Sequence, residues 1–194
     1  MRSLKHCLFP VVIGAIVLLL VSSAQAVEFT ATWVAKADGE ENSGKMYMKD
    51  GKERNEFPGG IIIRRPDKNV IWLLSPQSKS YTEMSMDSPK SDVQIMPHTA
   101  EHIKDQMKKI GTETVNGYEC DKYETTMGPE GKSQKQYIWV APKLGVPIKM
   151  VSEDGSFSLE YKDIKPEKLE DSLFELPKGY RKMQLPIPMG SMMK

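Results

Sequence analysis

Cysteine is nearly absent: the 194-residue chain has two, and Cys7 lies in an N-terminal apolar leader. Once the leader is removed, Cys120 stands alone, so no intramolecular disulfide can brace the fold and stability must come from packing. Cys120 is expected to be a small half-buried apolar group on a strand. Histidine is equally scarce, at three in the whole chain, which leaves little material for a metal centre or a Ser-His-Asp relay. Charge of one sign is missing too. Removing Arg2 and Lys5 with the leader leaves 25 basic against 26 acidic residues, a formal charge of −1. That balance excludes the electrostatic footprint of a nucleic-acid binder. There is no phosphate loop, no Cys-x-x-Cys and no internal repeat.

The leader itself is a secretory signal. Arg2 and Lys5 precede an apolar run over 8–21, and Ala24-Gln25-Ala26 forms a small-residue cleavage site. The run is shorter than the roughly 18 residues of a membrane-spanning helix. Cleavage after Ala26 and a periplasmic mature chain beginning at Val27 are expected. Cys7 follows polar Lys5 and His6 instead of a small-residue box, so no lipid anchor is expected.

The remaining residues suit one domain, 27–183, with a Pro- and Met-rich end, 184–194, that reads as a disordered tail. Alternation of period two dominates. Phe29, Ala31, Trp33 and Ala35 share a face; Met46 and Met48 alternate with polar neighbours before Asp50-Gly51, a tight hairpin signal. Residues 61–63, 70–74 and 80–86 read as further strands separated by Pro- and Asn-containing turns. One helix is predicted, with Ile103, Met107 and Ile110 at helical spacing and Gly111 as its stop. Strands resume at Asn116-Gly117. Nine or ten short strands with one helix make a mainly β (α+β) domain, whose antiparallel sheet must curl. Residues 70–74 are apolar on both faces. Such a strand is covered twice, by the core or a helix on one side and by more protein or a ligand on the other.

Chemistry is sparse. His98-Thr99-Ala100-Glu101-His102 matches the inverted zinc-peptidase pattern. It sits in the first turn after Pro97, with Ile103 and Met107 claiming the buried face, so solvated cap residues are expected in place of zinc ligands. Thirteen methionines are the compositional oddity. Those on strands, including Met46, Met48, Met84, Met86, Met127 and Met150, suit either a core or a surface that adapts to apolar partners. Met183, Met189, Met192 and Met193 offer thioethers to Cu(I), but without His or Cys they make a poor site. No catalytic residue, metal or cofactor is assigned.

Three segments in order carry a resemblance: GKMYMKDGKERNEF (44–57), IIIRRPDKNVIWLLSPQSKSYTEM (61–84) and FSLEYKDIKPEKLEDSLFELPKGYRKM (157–183). The second contains an aspartate followed by Trp-x-x-x-Pro and an aromatic, and the third contains Phe-x-x-Pro-x-Gly-aromatic. This pattern resembles the LolA/LolB superfamily of periplasmic lipoprotein carriers, and within it a secreted bacterial family of unknown function, DUF4412. The resemblance implies a strongly curved half-barrel lidded by one or two helices, whose concave apolar face accepts acyl chains. Carriers of this type open with an amphipathic helix, whereas Val27 leads straight into a strand. Trp33, Met46, Met48, Ile62, Trp72, Leu74, Tyr81, Met84 and Trp139 are the candidate lining residues. The expectation is a non-enzymatic, monomeric carrier of a lipid or acylated protein. A module that senses or binds an envelope protein through the same surface is the alternative, and a zinc hydrolase at the His98 motif a remote one.

Overall fold

A computed structural model describes residues 27–37, 39–87, 107–127 and 134–183. The leader, the His98–Glu101–His102 motif and the 184–194 tail lie outside these residues. Twelve strands form one sheet: β1 Phe29–Ala37, β2 Glu40–Lys49, β3 Lys52–Phe57, β4 Gly60–Arg65, β5 Val70–Ser75, β6 Ser80–Ser85, β7 Lys108–Val115, β8 Tyr118–Met127, β9 Gln134–Ala141, β10 Val146–Ser152, β11 Phe157–Pro166 and β12 Arg181–Lys182. Their spatial order is β12-β6-β5-β4-β3-β2-β1-β11-β10-β9-β8-β7, open at both ends. The sheet is mainly β as expected, curved and open, with more strands than the alternation distinguished.

Turn chemistry explains most of this path. Asp50 and Gly51 both take positive φ, 49° and 74°, and Asn116 and Gly117 do the same at 48° and 81°. Two consecutive positive-φ residues match the right-handed twist of a two-residue hairpin, which is why Asp-Gly and Asn-Gly occur there. One departure from antiparallel pairing closes an edge: β12 runs parallel to β6, Arg181 beside Ser80 and Lys182 beside Tyr81.

The predicted helix is corrected where the structure describes it. Ile110 lies on β7, 41% exposed and at a register shift against β8, and Gly111 sits inside that strand. The spacing of Met107 and Ile110 fits a helix, but Thr112, Thr114 and Val115 are β-branched and run directly into the Asn116-Gly117 hairpin, so pairing with β8 overrides the local pattern. No helical lid is seen among the described residues. The only helical turns there are the 3-10 segments Pro66–Lys68 and Asp171–Phe174.

The second of these turns belongs to a strap, residues 167–180, that returns from the end of β11 across the sheet. Leu169 and Phe174 pack with Ile63, Trp72 and Leu74 into a separate apolar cluster. Basic side chains rising from the sheet hold the strap by its carbonyl oxygens: Lys49 donates to Leu169 O at 2.7 Å, Arg54 to Leu173 O at 3.1 Å and Arg65 to Phe174 O at 3.0 Å. Phe174 is fully buried. Phe174→Ala is therefore expected to cost about 3–5 kcal/mol of unfolding free energy in chemical denaturation, with a red-shifted emission from Trp72 beneath it.

Candidate ligand-binding face

Strand register assigns every side chain to a face, because residues paired across strands point the same way. Phe29 pairs with Met48, Ala31 with Met46 and Trp33 with both Gly44 and Tyr161. Continuing outward, Met48 pairs with Glu53 and Met46 with Asn55; Glu53 then pairs with Arg64 and Asn55 with Ile62. Arg64 pairs with Ile71 and Ile62 with Leu73, while Ile71 pairs with Met84. All of these share one face. The opposite face carries Ile61, Ile63, Val70, Trp72, Leu74 and Tyr81, which are the residues beneath or beside the strap.

The first face is the concave one. Arg64 on β4 and Tyr161 on β11 are separated by four strand steps, which in a flat sheet is about 19 Å. Yet the two groups act on each other's ionisation. Burial pushes the Tyr161 hydroxyl far up, Glu53 pushes it further and the Arg64 guanidinium opposes both. Arg64 and Tyr161 are only 2% and 6% exposed although both stand on this one face, as they are when the curved sheet wraps toward this side.

The nine candidate residues consequently divide. Trp33, Met46, Met48, Ile62 and Met84 are brought together on the inner face. Trp72, Leu74 and Tyr81 lie on the outer face of β5 and β6, and there the strap packs against them. Trp139 is also outer-facing, since it pairs with Lys122 and Lys149. Its ring lies under the Lys122 ammonium at 4.7 Å and the Lys149 ammonium at 5.3 Å, and its indole N–H donates to Glu113 at 2.8 Å. The two apolar faces of β5 thus have different covers: Trp72 and Leu74 meet the strap, while Leu73 stays half-buried on the inner face.

Met46 and Met48 are nearly inaccessible, at 1% and 7% exposure, and form the floor. Ile62 and Leu73 are paired and half-buried, and half-buried Met84 sits diagonally beyond them with Thr82 opposite Leu73, so the three make an apolar patch along one flank. Trp33 closes the floor at the other side by lying across Gly44, with its indole N–H donating to Glu56 O at 3.2 Å. A Cβ on Gly44 would fall 1.8 Å from that oxygen, so only glycine admits the ring.

One polar group interrupts this face. Arg64 is 2% exposed and pairs with Glu53 at 3.5 Å, itself 6% exposed and accepting a hydrogen bond from Asn55. Among the described residues the Arg64 Nε–H and Nη1–H have no hydrogen-bond acceptor, Nη1 being the nitrogen that faces Glu53 at 3.5 Å, and burial lowers the guanidinium's pKa, Glu53 opposing. A cavity of about 30 Å³ adjoins them, lined by Glu53, Asn55, Ile62 and Arg64. Sequence reading missed this group, because Arg64 follows three isoleucines and its facing depends on the β3–β4 register. Cys120 fits its expected role more strictly than predicted: it is fully buried on β8, and burial raises its thiol pKa. Among the described residues, no cluster of three or more His, Cys, Asp or Glu could hold a metal.

The model of a domain of unknown function, DUF4412, matches residues 14–146. The chain belongs to the DUF4412 family. That match covers β1 through β9 and leaves β10, β11 and the strap outside it. No curated protein matches the chain. Among solved structures, an uncharacterized conserved protein from Thermus thermophilus aligns at a TM-score of 0.56 and 14% identity, covering 82% of this chain and 91% of that one. PNGF-II aligns at 0.50 and 17% identity over 81% of this chain, which spans only 31% of the PNGF-II chain. A chain of the Pseudomonas aeruginosa MucA/MucB complex aligns at 0.47 and 14% identity, over 77% of this chain and 56% of that one. At these identities the first two establish a shared fold and nothing more. The family implied by the sequence motifs is the one found.

Opposite charges also fasten the outer face of this DUF4412 sheet. Arg65 makes a two-pronged contact with Asp67 and reaches Glu175 on the strap, which Lys68 also contacts. The hydrogen bonds from Arg65 hold the Asp67 carboxyl down at about 2 and also lower Glu175. A carboxylate with a depressed folded pKa stabilises above its ordinary value of 3.8 and loses that contribution as pH falls toward about 2. Both side chains are 47% exposed, which limits the effect to about 1 kcal/mol. Thermal unfolding should show a smaller loss between pH 4 and 2 for the Asp67→Asn, Glu175→Gln variant than for the wild type. Parallel curves would show that these carboxylates do not fasten the strap.

Proposed function

We propose that the mature protein is a non-catalytic binding protein of the bacterial periplasm that holds the apolar part of a lipid or acylated protein against the inner face of its sheet. The observation that carries this reading is the half-buried patch of Ile62, Leu73 and Met84, set on the inner side of a sheet whose outer face at the same strands is covered by its own strap. Apolar groups left partly open on a concave surface suit a flexible hydrocarbon guest, and methionine adapts to guests of variable shape. Membership in DUF4412, the fold shared with the Thermus protein and the secretory leader support it. Trp33, Met46, Met48, Ile62 and Met84 are the lining residues proposed from the original nine.

A second reading, an envelope protein-interaction module, is favoured by the other edge of the sheet. Among the described residues β7 pairs on one side only, with β8. Its free backbone groups suit addition of a partner's strand, although Lys108, Lys109 and Glu113 blunt that edge.

Native mass spectrometry of the gently purified mature chain separates the two. Its N-terminus is expected at Val27, and a species carrying a lipid-sized increment, or gaining one when an acyl ligand is added, is expected beside the apo protein. A clean apo mass under both conditions overturns the lipid reading.

A further inference from the structure

We infer that Arg64 is the receptor for the carbonyl oxygen of an ester- or amide-linked acyl chain, an assignment that rests on the reading of the inner face as the binding surface. Three observations converge on this point. The guanidinium is 2% exposed, yet among the described residues its Nε–H has no acceptor and its Nη1 meets only the Glu53 carboxylate, at 3.5 Å and outside hydrogen-bond geometry. A buried donor without a partner costs the full desolvation of that group, so a position of this kind calls for an oxygen from outside the chain. The cavity beside it, about 30 Å³, has room for one oxygen-sized group and is lined by Ile62. Ile62 pairs with Leu73 across β4 and β5, and Met84 lies diagonally beyond Leu73, paired with Ile71, which is itself the β5 partner of Arg64. A chain lying along that patch brings its polar end to Arg64.

Charge decides which polar end. Glu53 faces Arg64 at 3.5 Å and already balances its charge, and Asn55 donates to the same carboxylate. A second carboxylate here would meet the field of Glu53 in a site shielded from water, where like charges repel strongly. A neutral carbonyl oxygen accepts from the spare N–H groups with no such repulsion. Acylglycerols and N- or O-acylated proteins carry that oxygen; free fatty acids carry the wrong charge and alkyl ethers carry no carbonyl.

The test uses the mature chain and displacement of a fluorescent acyl probe by three matched ligands: 1-monododecanoylglycerol, 1-O-dodecylglycerol and dodecanoate. The ester is expected to bind about tenfold or more tightly than the ether, as for a hydrogen bond from a charged donor, and dodecanoate more weakly than the ester. In the Glu53→Leu, Arg64→Met variant, which exchanges a buried ion pair for apolar groups, the ester-to-ether ratio should fall to about one; thermal unfolding checks that it is folded. If that variant does not fold, Arg64→Lys, which keeps a cation beside Glu53 but removes the Nε–H, should cut the ratio severalfold. A wild-type ratio near one, a ratio unchanged in the variants, or preference for dodecanoate overturns the assignment of Arg64 while leaving the binding face intact. Failure of both ester and ether to displace the probe removes the binding face and Arg64's role with it.

Discussion

A sheet strand with large apolar groups on both faces has to be covered twice, and β5 imposes that requirement on the whole molecule. Ile71 and Leu73 point inward; Trp72 and Leu74 point outward. Exposing Trp72 and Leu74 together would forfeit a few kcal/mol of burial, at roughly 1.5–3 kcal/mol per large side chain. The chain answers on the outer side with its own strap. Residues 167–180 cross back over β3–β6 to bring Leu169 and Phe174 onto Trp72 and Leu74, and β12 then continues as a parallel edge strand beside β6. Covering this side answers half of the requirement; on the inner side of the same strands Leu73 stays half-buried among the described residues.

The strap is short and has only one helical turn, so few of its carbonyl groups are satisfied internally. The sheet supplies donors instead. Lys49, Arg54 and Arg65 reach from β2, β3 and β4 to three successive stretches of strap backbone, and their long aliphatic stems can lie along apolar surface while their heads bond. Asp171 and Glu175 add charge at two of these points. The acidic composition of this segment, which in sequence looks like a polar linker, is complementary to a row of cations that becomes a row only after β2, β3 and β4 are paired.

That dependence on register separates what the sequence disclosed from what it concealed. The β2–β3 hairpin was legible because Asp50-Gly51 carries its own φ requirement; Asn116-Gly117 carries the same one, but with a helix read before it the pair marked only where strands resume. The facing of Trp33 with Phe29 and Ala31, and of Met46 with Met48, was legible because alternation survives on β1 and β2; that the two sets share one side came only with the register. On β4 and β5 alternation disappears into continuous apolar runs, and a slip of one residue exchanges the faces. Ile62 and Trp72 therefore looked equivalent in sequence and lie on opposite sides in the structure. Trp139 misled for a related reason: lysines on neighbouring strands, not a cavity, enclose it. Arg64 was hidden by the same run of isoleucines that drew attention to the strand. At Ile110, a residue compatible with helix and strand alike took the state favoured by its partner β8.

Replacing the buried Arg64–Glu53 pair by apolar side chains of similar volume would commonly leave a protein as stable or more so. Its presence beside Ile62, Ile71 and Met84 on the inner face therefore calls for a reason other than stability. Register is a weak one here, since β3 and β4 are already aligned by a hairpin through residues 58–59 and by the pairing of Phe57 with Gly60. A purely hydrophobic hollow would hold any greasy molecule in any orientation, with affinity growing only with chain length. On the reading proposed above, a buried guanidinium with an unpartnered Nε–H, beside a carboxylate that balances its charge, would make such a surface distinguish the end of a guest from its middle. Polar groups in an apolar pocket discriminate chiefly through the penalty of leaving them unpaired, and that penalty is built into the inner face.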